Sequence, residues 1–113
     1  MIDFDFSIPT KVLFGVGKLD ELKREKLPGK LALVVISNGK TMRDRGYLDR
    51  VLAALKHQNI DYMIYDKITV NAGKDEVMEA AQFARDNFCD FVLGLGGGSV
   101  IDAAKAIALM ARN

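Results

Sequence analysis

The 113-residue chain is 50% apolar and 27% charged, with sixteen basic residues against fifteen acidic ones and a formal charge of +1. That is one globular domain with enough apolar mass for a core; it excludes a disordered chain and gives no basic footprint for nucleic acid. One cysteine and one histidine exclude a disulfide scaffold, a zinc finger and a self-contained zinc hydrolase.

In chain order, Phe4 to Gly17 reads as two short strands around a turn, an N-terminal hairpin broken at Pro9 and ended by Gly15 and Gly17. A short helix is expected over Lys18 to Glu25, closed by Leu27-Pro28-Gly29. The run Leu31-Ala-Leu-Val-Val-Ile36 is apolar at every position. An alternating strand would have one wet face; a continuous run implies helices on both faces of a parallel sheet. Ser37-Asn38-Gly39 ends that strand. Leu48, Val51, Leu52 and Leu55 then form one helical stripe, with Asn59 as its stop. Tyr62 to Tyr65 reads as a strand and Thr69 to Lys74 as a polar loop. Val77, Ala81, Ala84 and Phe88 give a second helical stripe. Phe91 to Leu95 is a third long strand, Gly96-Gly97-Gly98-Ser99 its exit, and Val100 to Ala111 an alanine-rich helix. Strands alternating with helices in this way predict a right-handed, mostly parallel α/β sheet flanked by helices.

The glycine turn is the strongest local signal. Glycines between a buried strand and a helix allow close backbone approach to a ligand. The following helix presents free N–H groups and its positive dipole end, which suits phosphate. The pattern is not the usual dinucleotide fingerprint, because Ser99 stands where the last glycine would be, and it is not a phosphate loop of the Walker type, because the required lysine is absent. The competing structural reading is a capping box, with Ser99 as N-cap and Asp102 at the third helical position. Asp102 is not expected to touch phosphate. It would orient the loop or face the sugar and nicotinamide side.

Taken together, Phe6-x-x-Pro9-Thr10-x-Val12-x-Phe14-Gly15-x-Gly17 and the run from Gly94 to Ala108, with its G-G-G-S-x-x-D-x-x-K-A segment, resemble the iron-containing, metal-dependent (group III) alcohol dehydrogenases. Related glycerol dehydrogenases carry lysine at the position of Ser99, so Ser99 favours the alcohol dehydrogenase branch. The resemblance implies a Rossmann-like NAD(P)-binding portion and an enzyme that passes a hydride between an alcohol and the coenzyme, giving an aldehyde or ketone. It implies cofactor contacts at Gly97, Gly98 and Ser99, with Asp102 beside them. Asn71 matches the middle of the family's Pro-Asn-Pro element, here Val70-Asn71-Ala72. Asn38 falls where NAD-preferring members carry aspartate. Its neutral side chain, with Lys40 and Arg43 following, leans towards NADP(H), against the plainer reading of a turn and two solvated cations.

The same resemblance places a divalent metal, iron or zinc, in a helical C-terminal domain absent from this chain. Residues 1–113 are therefore expected to form a single, incomplete dinucleotide-binding domain, inactive by itself. The alternatives are a stand-alone nucleotide-binding module and an inactive fragment lacking the catalytic half. A homodimer is expected, with no nucleic-acid or membrane partner. No basic stretch followed by an apolar run opens the chain, and no run reaches the roughly 18 apolar residues of a membrane span. With the single thiol, these features point to the cytoplasm. His57 reads as a surface histidine favoured by a helix C-terminus, Cys89 as a small buried hydrophobe, and Met110 as core.

Overall fold

The computed structural model describes residues 10–13, 22, 26–69 and 72–111. In chain order they form β1 (Thr10–Leu13), β2 (Leu31–Ser37), α1 (Thr41–Asp44), α2 (Tyr47–His57), β3 (Asp61–Ile68), α3 (Lys74–Asp86), β4 (Phe91–Leu95) and α4 (Gly98–Met110). The four strands make one sheet in the order β1-β4-β2-β3, and every pairing is parallel. The expected α/β fold is thus what the chain adopts. The expected hairpin's first strand, at Phe4 and Phe6, and the short helix over Lys18 to Glu25 fall outside the described residues, Leu22 excepted. Its second strand is present as β1, which runs parallel to β4 with Val12 opposite Gly94.

The unbroken apolar run explains the layering. Successive β2 side chains point to opposite faces. Ala32, Val34 and Ile36 join a cluster with Leu48, Val51 and Leu55 of α2. Leu33 and Val35 join the other cluster, with Ala80, Ala81 and Ala84 of α3 and Ala103, Ala104 and Ile107 of α4. Small alanines let α3 and α4 lie close to the sheet, and the two clusters together bury both faces of β2. A charged side chain at Leu33 or Val34 would have no water on either side.

Several boundaries depart from the sequence reading. β3 extends to Ile68, past its expected end at Tyr65, because charged Asp66 and Lys67 lie at the strand's margin, where solvent reaches them. Phe88 does not complete the α3 stripe. The helix ends at Asp86, and Phe88 follows in the left-handed region (φ 58°) with its ring 83% exposed. Met110, read as core, is exposed, as is Leu109; both belong to the outward face of α4's last turn. Asn59 does stop α2, at φ 60°.

Two polar ties hold the connections. The Asp90 carboxylate accepts the backbone N–H groups of Lys30 and Leu31, at 2.7 and 3.1 Å, fixing the start of β2 against the start of β4. The Tyr65 hydroxyl donates to Glu79 at 2.9 Å. Burial, then that bond and the negative charges of Glu79, Glu76 and Asp66, push the phenol up to about 12. Cys89 is buried, and burial together with Asp90 pushes its thiol up to about 11, which keeps it protonated and inert.

Candidate functional site

The sheet order contains a reversal. From β2 the chain passes through α2 to β3 on one side; from β3 it passes through α3 to β4 on the other side of β2. Helices α2 and α3 consequently cover opposite faces. At such a switch point the loops leaving two adjacent parallel strands diverge and open a crevice at their carboxyl ends, where open α/β sheets bind ligands. Here the two loops are Ser37-Asn38-Gly39 after β2 and Gly96-Gly97-Gly98-Ser99 after β4. They leave side by side, since Val35 is the register partner of Gly94.

The three glycines have different reasons to be glycine. Gly96 is required by the fold. It sits at φ +147°, and a Cβ there would come within 3.2 Å of Val100. Gly97 is extended (φ −83°, ψ −170°) and Gly98 is helical, so ordinary residues could adopt either conformation. Among the described residues, a Cβ on either would meet no atom within 4 Å beyond the adjoining chain and the helix's own backbone. Neither their backbone geometry nor packing by the described residues demands glycine at these two positions. Bare backbone at a helix start lets a ligand approach the N–H groups closely.

The capping box expected at Ser99 and Asp102 is not formed. The N-cap is Gly97, no described side chain caps the helix, and Ser99 is already the second helical residue. The helix begins at Gly98, two residues before the expected start. The N–H groups of the first turn are therefore left to solvent or to a ligand. No acidic residue lies in that turn. Ser99 and Asp102 are both exposed and share one helix face, three positions apart, so Asp102 lies one turn beyond the open end.

Asn38 is exposed at the other loop. Its backbone N–H donates to the Ile68 carbonyl at 2.8 Å, which ties the β2 exit to the end of β3. Asn71 lies outside the described residues. The loop that leads to it is anchored: the Glu76 carboxylate, in the first turn of α3, accepts both the backbone N–H (3.0 Å) and the hydroxyl (2.7 Å) of Thr69. Those bonds hold the Glu76 carboxyl below its usual range. Arg43, one of two cations expected to face a coenzyme phosphate, donates through Nη2 to Asp66 at 2.6 Å. Lys40 is exposed. Sequence reading missed Asp66 and Glu76. Glu76 was discoverable as an acid in a first helical turn following Thr69, whereas Asp66 was hidden inside a strand whose end was placed too early.

Among the described residues no three His, Cys, Asp or Glu side chains converge, and the single histidine, His57, is exposed at the end of α2. These residues do not fit a metal centre. No described helix is long and apolar enough to cross a membrane.

A parallel sheet with a switch point defines a doubly wound α/β unit. Comparison with known proteins narrows this. The model of the iron-containing alcohol dehydrogenase family matches residues 9–113, and the chain belongs to that family. It is 41% identical over 109 residues to NADH-dependent butanol dehydrogenase A of Clostridium acetobutylicum, covering 96% of this chain and 28% of that protein. It is 35% identical over 111 residues to the NADPH-dependent aldehyde reductase YqhD of Escherichia coli, covering 98% of this chain and again 28% of the relative. Among solved structures, NADH-dependent butanol dehydrogenase A of Thermotoga maritima superposes with a TM-score of 0.72 at 33% identity, over 93% of this chain and 27% of that one. An archaeal halo-thermophilic alcohol dehydrogenase from a Red Sea brine pool gives 0.78 at 31% identity, over 98% and 28%. The chain thus spans under a third of the length of these relatives.

Proposed function

We propose that the chain is the NAD(P)-binding part of a metal-dependent alcohol dehydrogenase, in which a hydride passes between an alcohol and the coenzyme. The observation that carries this reading is the space that the described residues leave open before Gly97 and Gly98, two glycines that neither their dihedrals nor their described neighbours demand. A pyrophosphate fits there. The first-turn N–H groups of α4 donate to its oxygens, the Ser99 hydroxyl adds a further donor, and the helix dipole favours the negative charge. Asp102, one turn on, stays off the phosphates and faces the sugar side. Asn38 meets the adenosine ribose, held in place by its backbone bond to Ile68. Asn71 is assigned to the coenzyme's surroundings from the family motif alone. When bound, the nicotinamide supplies the hydride chemistry; this chain's residues bind and orient it.

Residues 1–113 are proposed to act as one dinucleotide-binding unit. Iron or zinc would be held in a separate helical domain, since the described residues do not fit a metal. The enzyme is proposed to work as a cytoplasmic homodimer on an alcohol–aldehyde pair. Between the coenzymes the proposal leans to NADP(H). Asn38 places no carboxylate against a 2′-phosphate, and Lys40 supplies a positive charge nearby. The relatives named above include both an NADH-dependent and an NADPH-dependent enzyme.

Calorimetric titration of the chain with NADH and with NADPH tests the reading. Saturable one-to-one binding, tighter for NADPH, is expected. Absence of binding by both coenzymes to the folded chain contradicts it, and a strong preference for NADH contradicts the lean alone.

A further inference from the structure

The Arg43–Asp66 pair borders the proposed ribose site from two directions. Arg43 sits in α1, five positions after Asn38, and Asp66 sits in β3, two positions before Ile68, whose carbonyl accepts the Asn38 N–H. The pair therefore bridges the two elements that flank the Asn38 loop. Both side chains are nearly half exposed, at 46% and 44%. Asp66 Oδ2 engages one guanidinium nitrogen, Nη2. A guanidinium has five N–H donors, so most of Arg43's donors are open to another anion.

We infer that Asp66 is a specificity-determining residue that holds coenzyme preference in check by neutralising Arg43. The inference rests on the coenzyme reading above. A 2′-phosphate at the ribose beside Asn38 would need Arg43 as its bidentate partner. The phosphate must compete with the Asp66 carboxylate for that cation, and it is itself repelled by the carboxylate. A ribose with a free 2′-hydroxyl carries no charge there and gains or loses little. Asp66 thus acts against NADPH and hardly at all on NADH. It keeps the preference set by Asn38 and Lys40 modest.

The test is the ratio of dissociation constants for NADPH and NADH, measured by calorimetry on the whole chain. Asp66→Asn should tighten NADPH about five-fold, the scale of one exposed ion pair, and leave NADH within about two-fold. Asp66→Ser is a second probe with the same expectation, should the amide find new partners. Adding Arg43→Ala to either variant should abolish the gain, and raising the salt concentration should shrink it. A merely structural role for the pair would move both coenzymes together. Equal changes for the two coenzymes, no change, or a gain that survives loss of Arg43 overturns the assignment while leaving the coenzyme reading intact. Failure of the parent chain to bind either coenzyme overturns both.

Discussion

Replacing Gly98 with valine is expected to leave the chain folded and to weaken coenzyme binding by one to two orders of magnitude. Gly98 is helical, and among the described residues a Cβ there meets no atom within 4 Å beyond the adjoining chain and the helix's own backbone. Helix propensity slightly favours valine over glycine, so stability should stay within about 0.5 kcal/mol. The new methyl groups occupy the space in which the pyrophosphate would lie, pushing it off the first-turn N–H groups. Losing one hydrogen bond to a charged oxygen costs about 1.5–3 kcal/mol, which is about ten- to a hundred-fold in affinity. The contrast is Gly96, where even alanine meets both a disfavoured φ of +147° and Val100 at 3.2 Å. There the loss should appear in stability, at roughly 1–3 kcal/mol. Thermal unfolding and calorimetric titration of both variants separate the two roles. If Gly98→Val binds coenzyme like the parent, the open space is not the phosphate site.

The largest stability effect is expected at Phe91. Its ring is fully buried at the start of β4, in the cluster that joins the sheet to α2. Its neighbours there include Ala32 and Val34 of β2 and Leu55 of α2. Phe91→Ala removes the ring and leaves a cavity that a parallel strand, hydrogen-bonded on both sides, cannot collapse to fill. The expected cost is about 3–5 kcal/mol, against total stabilities of roughly 5–15 kcal/mol for native domains. Denaturant unfolding should show a lowered midpoint at unchanged slope. Loss of β4's anchorage would also loosen the glycine turn that follows it, so coenzyme affinity should fall in parallel with stability, unlike the Gly98 case.

The sheet was legible because burial leaves a mark in composition. The unbroken run from Leu31 to Ile36 is short, β-branched in part and bounded by Gly29 and Gly39, which marks a strand covered on both faces, and the clusters on either side of β2 agree. The Leu48, Val51 and Leu55 stripe marked the buried face of α2 in the same way. Termini were less legible, because they are decided by solvent and by single dihedrals. Phe88 kept the helical spacing, yet the chain had already turned into the left-handed region at φ 58°. At α4, the serine and aspartate of a capping box were present, but the helix starts earlier, at Gly98, and Ser99 lies inside it. The glycine turn itself was recognisable from residue types alone. What distinguishes Gly96 from Gly97 and Gly98 was not, because that depends on where Val100 folds back. The Arg43–Asp66 pair was invisible for a similar reason: its partners are 23 positions apart, and only the pairing of β3 with β2 brings the acid beside the Asn38 loop.

Backbone amide chemical-shift mapping of the isotope-labelled chain during titration with NADPH tests the central claim most directly. The claim is that coenzyme binds across the crevice between the β2 and β4 exits. The largest perturbations should fall on the amides of residues 96–100 and 38–40, and the amides at the opposite ends of the same strands, around Lys30 and Asp90, should remain still. Perturbations centred away from the two loops, or none at saturating coenzyme, would contradict it.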